Sequence, residues 1–164
     1  MLDLSVIILA GNEEIHMKRC LDRITPYVKE VFVIDCYSTD RTVEIAQGYE
    51  NVTILQNKWV NYATQFNWAL QNAPIKTEWV LKLDADEYLE LALIERMQKE
   101  LPMIPDDISA ISIRLKHMFL GKFIKGGTGK KYMTRIFRKG RAVSENRQMD
   151  EHMKPVSYTH LRAH

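Results

Sequence analysis

Four short apolar runs, each followed by a polar break and a helix-like pattern, limit the folds open to this chain. Leu4-Ser5-Val6-Ile7-Ile8-Leu9 is nearly continuous, as a central strand buried on both faces requires. Ala10-Gly11-Asn12 breaks it, and Glu13-Glu14 opens a helix with acid in its first turn. That helix carries Ile15, Cys20, Leu21 and Ile24, and Pro26 ends it. Glu30 to Asp35 is the second run. After it, Ser38, Thr39 or Asp40 can cap a helix through Val43, Ile45 and Ala46, with Gly48 at its end. Val52 to Leu55 is the third run, followed by a helix through Phe66, Ala69 and Leu70 that Pro74 closes. Trp79 to Leu83 is the fourth, with Leu91, Ile94, Met97 and Leu101 on one stripe of the next helix. Strand-then-helix units in succession predict a doubly wound, mainly parallel α/β sheet with helices on both faces.

After Asp107 the period changes to two. Ile111, Ile113 and Leu115 alternate with Ser112, Arg114 and Lys116, and Lys131 to Phe137 behaves alike, so a mixed or antiparallel C-terminal extension is expected. With 164 residues the chain suits one core. Residues 1–155 are expected to form one incomplete domain. Residues 156–164 fit neither period and resemble a translated adaptor, so they are expected to be a non-native tail.

Composition narrows the function classes. A net charge of +2 gives no global drive toward nucleic acid. Two cysteines, Cys20 and Cys36, make no disulfide framework, which points to a reducing compartment. No apolar run approaches the roughly 20 residues of a membrane span, and Met1 to Ala10 lacks the basic start of a signal peptide, so a cytoplasmic place is expected. From Arg114 to Arg147 the chain is rich in Lys and Arg, with Glu145 as the only acid. The tract either faces something anionic, such as a lipid-phosphate acceptor at the inner membrane face through residues 122–141, or is a solvated basic surface.

In a doubly wound sheet, ligands bind beyond the carboxyl ends of the strands. Asn12 and Glu13 follow the first strand, Asp35 to Asp40 the second, and Asp84, Asp86 and Glu87 the fourth, so three polar clusters are expected on one rim. Asp84, Asp86 and Glu87 repel one another unless a cation or solvent intervenes. They suit a hard divalent cation, Mn²⁺ or Mg²⁺, with substrate phosphates completing its shell. The other reading is an acidic turn leading into the next helix. No Gly-x-Gly-x-x-Gly follows the first strand, which argues against a dinucleotide site. Gly126 to Lys131 is a poor phosphate loop, because Ile124 takes the place of its first glycine and Lys131 that of its Ser/Thr.

Val6-Ile7-Ile8-Leu9-Ala10-Gly11-Asn12-Glu13-Glu14, then Val33-Ile34-Asp35-Cys36-Tyr37-Ser38-Thr39-Asp40-Arg41-Thr42, then Leu83-Asp84-Ala85-Asp86-Glu87 resemble the family 2 glycosyltransferases of GT-A fold. Gln65 to Leu70 and Glu145 to His152 add to the likeness, which runs from Leu4 to His152. The resemblance implies an inverting, metal-dependent transfer of a sugar from a nucleotide-diphosphate donor to an acceptor hydroxyl, on a glycan or lipid-linked acceptor of the cell envelope. It implies Asp86 as the principal metal ligand of an Asp-x-Asp motif, and Asp84 on the metal or the ribose. Asp35 would bind base or ribose, and the turn through Asn12 and Glu13 would hold the nucleotide. Asp150 or Glu151 would be the base that inversion needs, with Asp150 favoured. His152 reads as a surface residue, or else as a group that ligates the metal or orients a carboxylate. The chain departs from the family pattern where Ala10-Gly11 replaces Thr-Tyr, Cys36 replaces a second Asp, and Tyr62 stands near a basic position. A nucleotidyltransferase, or a basic anion-binding module without catalysis, is the alternative.

Overall fold

The computed structural model describes residues 1–116, 118–119, 122–123, 131–144, 153–155 and 160–162. The first strand, β1 (Leu2–Ala10), leads into α1 (Glu14–Asp22), then β2 (Val28–Asp35), α2 (Thr42–Gln47) and β3 (Val52–Gln56). They are followed by α3 (Tyr62–Asn72), β4 (Trp79–Asp84), α4 (Leu91–Glu100) and a 3-10 turn, Leu101–Met103. The extension comprises β5 (Ala110–Leu115), β6 (Met118–Phe119), β7 (Lys122–Phe123), β8 (Lys131–Arg138), β9 (Ala142–Ser144), β10 (Met153–Pro155) and β11 (His160–Arg162).

One seven-stranded sheet runs β11-β5-β8-β4-β1-β2-β3. The pairs β1–β2, β1–β4 and β2–β3 are parallel, and β8 is antiparallel to both β4 and β5. The expected mainly parallel sheet with an antiparallel extension is therefore the fold. His160–Arg162, within the stretch expected to be foreign, adds a parallel edge strand to β5. The chain moves from β1 to β2 and β3 on one side, then returns to β4 on the other side of β1. That reversal puts α1 and α3 on opposite faces, because parallel crossovers are right-handed. It also opens the place where such sheets bind ligands.

Pleating divides the core. Leu4, Val6 and Ile8 join Met17, Cys20 and Leu21 of α1, Ala46 of α2 and Ile94 and Met97 of α4. Ile7 and Leu9 face the other way, onto Phe66 and Ala69 of α3 and Phe137 of β8. Two expected core positions are exposed. Ile15 is 83% exposed, because the buried stripe of α1 is Met17, Cys20 and Leu21, spaced i, i+3, i+4, and Ile15 lies off it. Leu91 is exposed in the first turn of α4, while Leu89 in the preceding loop is buried.

The basic tract is less of a surface than its sequence implies. Arg138 is buried and stacks over Trp79, 4.3 Å from the ring centroid. Its guanidinium donates to the carbonyls of Ile108, Ile104 and Pro105, and it pairs with Glu78. Arg135 is likewise buried. Lys139 Nζ donates to the Ile75 carbonyl, Arg141 to that of Asp106, and Lys116 pairs with Glu90. Arg135 and Arg138 are buried and bind inward, so they are not part of an anion-facing surface. Residues 124–130, including the Gly126 to Lys130 loop, lie outside the described residues.

Candidate functional site at the carboxyl rim of the sheet

Strand register aligns the rim. Leu9 pairs with Asp84, Ala10 with Asp35, and Asp35 with Gln56, so the ends of β4, β1, β2 and β3 lie side by side. Asn12 and Glu13 continue from β1, and Asp86 and Glu87 from β4. The three expected clusters thus share one edge.

The loops after β1 and β2 are zipped together. The Asn12 amide donates to the Ser38 hydroxyl at 2.9 Å, and Asn12 Oδ1 accepts from the Thr39 amide at 2.8 Å. The amides of Glu13 and Glu14, which no helical carbonyl can serve, donate to Thr42 Oγ1 and Asp40 Oδ2. Asp40 also accepts the Thr42 amide at the start of α2. Both Asn12 (φ 56°) and Tyr37 (φ 63°) adopt the left-handed conformation to make these turns. A Cβ at Gly11 would come within 2.5 Å of Cys36 Sγ. Glycine there lets the two loops approach, and the thiol takes up the space. Burial, followed by the Asp35 charge, pushes the Cys36 thiol up, and burial pushes that of Cys20 up to about 12. Neither is a ready nucleophile.

Asp35 is fully buried. Its carboxylate accepts from the Ser38 amide and hydroxyl and from Gln56 Nε2. Asn12 is exposed, and its amide oxygen is committed to Thr39. Glu13 is half-buried and close to the other acids. Burial raises its pKa, His16 offsets part of the rise, and Asp86, Asp40 and Asp84 add to it.

The turn after β4 is held from both ends. The Glu87 amide donates to the Asp84 carbonyl at 2.9 Å, and the Asp84 amide to Glu87 Oε2 at 3.2 Å. Arg135 of β8 donates from one nitrogen, Nη2, to Asp84 Oδ2 and Glu87 Oε1, each at 2.9 Å. Burial raises the Glu87 pKa, Arg135 offsets part of that, and Asp84 raises it further. Burial also opposes the charge on Arg135, but Asp84 and Glu87 together outweigh it and hold the guanidinium above its ordinary range. Asp86 is exposed, and its carbonyl accepts from Arg19 of α1 at 3.0 Å. Arg19 and Arg23 both lie over the Tyr88 ring.

Among the described residues, no group of three or more His, Cys, Asp or Glu is arranged to hold a metal. Asp150, Glu151 and His152 lie outside the described residues. Arg135, which sequence composition groups with the basic tract, instead meets Asp84 and Glu87 at this rim; its signal in the sequence is an arginine inside an apolar strand pattern. Among the nearby aromatics, Phe66 is core, whereas Trp59 and Tyr62 are exposed and meet edge to face at 4.7 Å.

The model of the family described as "Glycosyl transferase family 2" matches residues 5–152. The chain is 29% identical over 124 residues to the lipopolysaccharide core biosynthesis glycosyltransferase LpsC of Rhizobium meliloti, covering 73% of this chain and 44% of LpsC. Among solved structures it resembles S. aureus TarS in complex with UDP-GlcNAc, with a TM-score of 0.62 and 23% identity over 76% of this chain and 37% of TarS. It also resembles the mannosyltransferase PcManGT of Pyrobaculum calidifontis in complex with GDP-Man and Mn²⁺, with a TM-score of 0.56 and 23% identity over 70% of this chain and 36% of that one. At these identities the structural likeness is one of fold. The chain spans less than half the length of the curated relatives it matches.

Proposed function

Because the chain belongs to glycosyl transferase family 2, we propose that it is the nucleotide-sugar-binding part of an inverting, metal-dependent glycosyltransferase of cell-envelope glycan synthesis. The observation that carries this reading is the shared rim. Asp35 and Asp84 end the two strands that flank β1, and Glu13 and Asp86 lie in the loops that follow β1 and β4, where the strand order reverses. The family match favours this reading over a nucleotidyltransferase or a purely anion-binding module.

The donor set suits a hard divalent cation, Mn²⁺ or Mg²⁺. Asp84 offers Oδ1, which takes no hydrogen bond among the described residues, and Asp86 is exposed on the same turn. Two carboxylates are few for an all-protein cage, but they fit a cation whose shell is completed by the substrate's phosphates. When bound, such an ion supplies positive charge to a diphosphate leaving group. In this reading Asp86 and Asp84 hold it. Asp35 already has Ser38 and Gln56 as partners, so it shapes the base and ribose pocket, with the Asn12–Glu13 turn forming the adjoining wall. Asp150 or Glu151 would take the proton from the acceptor hydroxyl.

The donor is proposed to be a nucleotide-diphosphate sugar, the class of ligand with which TarS (UDP-GlcNAc) and PcManGT (GDP-Man) were solved. A glycan or lipid-linked acceptor is proposed by analogy with LpsC. Among the described residues, no helix is long and apolar enough to cross a membrane. The proposed place is the cytoplasm. Any contact with the inner membrane face would fall to those basic residues of the 122–141 tract that are not bound internally.

Calorimetric titration with UDP- and GDP-sugars, with Mn²⁺ and with chelator, tests the reading. Uptake of one sugar nucleotide is expected with Mn²⁺, and its loss with chelator or in Asp86→Ala. Equal uptake in all three conditions would refute it.

A further inference from the structure

β8 follows β4 only as far as the pair Leu81–Ile136. The next residue of β8 toward the rim is Arg135. On its other side β8 pairs with β5, and there the register shifts at this point: Ile111 pairs with Ile136, but Ser112 pairs with Thr134. Arg135 is thus the extra residue of a bulge, on a strand that has just parted from β4. Bulges bend a strand and re-aim a side chain, often beside a functional site. Here the side chain crosses the gap to Asp84 and Glu87 and is 5% exposed. A buried guanidinium is costly to place unless it is paired. Its Nε is buried without a hydrogen-bond partner among the described residues, so its packing is set by what Nη2 reaches.

We propose that Arg135 is a positioning residue for the Asp84–Glu87 turn: the bulge delivers its guanidinium to Asp84 Oδ2, fixing that carboxylate so that Oδ1 remains for a ligand. Only the identity of that ligand rests on the glycosyltransferase reading above. The same nitrogen binds Glu87, which anchors the start of the turn by accepting the Asp84 amide. One cation therefore sets both ends of the segment that carries Asp86. Loss of the guanidinium leaves two carboxylates facing each other in a half-buried site, and the turn must open or take up a proton.

The test separates position from mere charge compensation. Wild type, Arg135→Met, Arg135→Lys and Arg135→Met/Glu87→Gln are compared by melting, by amide exchange, and by titration with Mn²⁺ alone and with UDP. In Arg135→Met the amides of residues 84–88 are expected to exchange faster, while those of β1 and β2 keep wild-type protection. Mn²⁺ affinity is expected to fall about 10–100-fold, as when a partner that orients a ligand is removed. Glu87→Gln removes the facing charge, so the double variant is expected to regain melting temperature but not Mn²⁺ affinity. Recovery of both would overturn the proposal, because Arg135 would then be only a counter-charge. Unchanged exchange at residues 84–88 in Arg135→Met would also overturn it. Where Arg135→Met does not fold, Arg135→Lys is read by the same exchange criterion, since the lysine ammonium ends one bond short of the Nη2 position that reaches both carboxylates. A wild type indifferent to Mn²⁺ would defeat the metal reading, and exchange alone would then decide the role of Arg135.

Discussion

Glu13 shows how the rim acts on a single side chain. Burial and the nearby charges of Asp86, Asp40 and Asp84 raise its pKa, with His16 opposing them. A raised folded-state pKa means that the folded chain holds this proton more tightly than the unfolded chain does. The resulting stabilisation is fully present below the ordinary glutamate value, about 4.3, and is lost as pH rises through the raised value. Glu13→Gln should therefore melt higher than wild type at pH 7, with the difference closing as pH falls toward 4. Thermal melts of both chains across that range check it, and a pH-independent difference would contradict it. The motif Ala10-Gly11-Asn12-Glu13 announced a polar turn after β1. It did not announce that Gly11 is needed because the Cys36 thiol lies against it, a contact between residues far apart in the chain.

At the scale of elements, the arginines of β8 tie the antiparallel extension to the parallel half. Arg138 closes the α4–β5 connection by donating to three backbone carbonyls while stacking on Trp79 of β4. Arg138→Met keeps the stacked bulk but strands the buried Ile108 carbonyl. It is expected to cost about 1–3 kcal/mol in urea unfolding, the range for a buried polar group left without a partner. Binding to anionic vesicles should be unchanged by it, because this guanidinium faces inward; weakened binding would show that it reaches the surface. The strands and helices themselves were legible from period and turn residues. The bulge at Arg135 was not, since a register shift depends on what lies on either side of a strand.

Across the whole molecule, β1 is common to both halves of the core, with Val6 and Ile8 on one face and Ile7 and Leu9 on the other. A cavity on either face should therefore weaken the same cooperative unit. Ile8→Ala is expected to cost about 2–5 kcal/mol and Phe66→Ala about 3–5 kcal/mol. Each should move one shared transition seen by both far-UV circular dichroism and tryptophan fluorescence. Separate transitions by the two probes would show that the faces unfold independently.

What the sequence determined by itself was local and periodic: apolar runs long enough for buried strands, acid and amide residues at their ends, and a change of period after Asp107. Those features depend on neighbours a few positions away, so they can be read along the chain. Only the tertiary structure decided which charges meet. The pairing of Arg135 with Asp84 and Glu87, the burial of Asp35 under Ser38 and Gln56, and the inward turn of Arg138 each join separate strands or loops. The register and crossover order of the sheet bring those groups within hydrogen-bond reach, and a linear pattern carries no record of that distance.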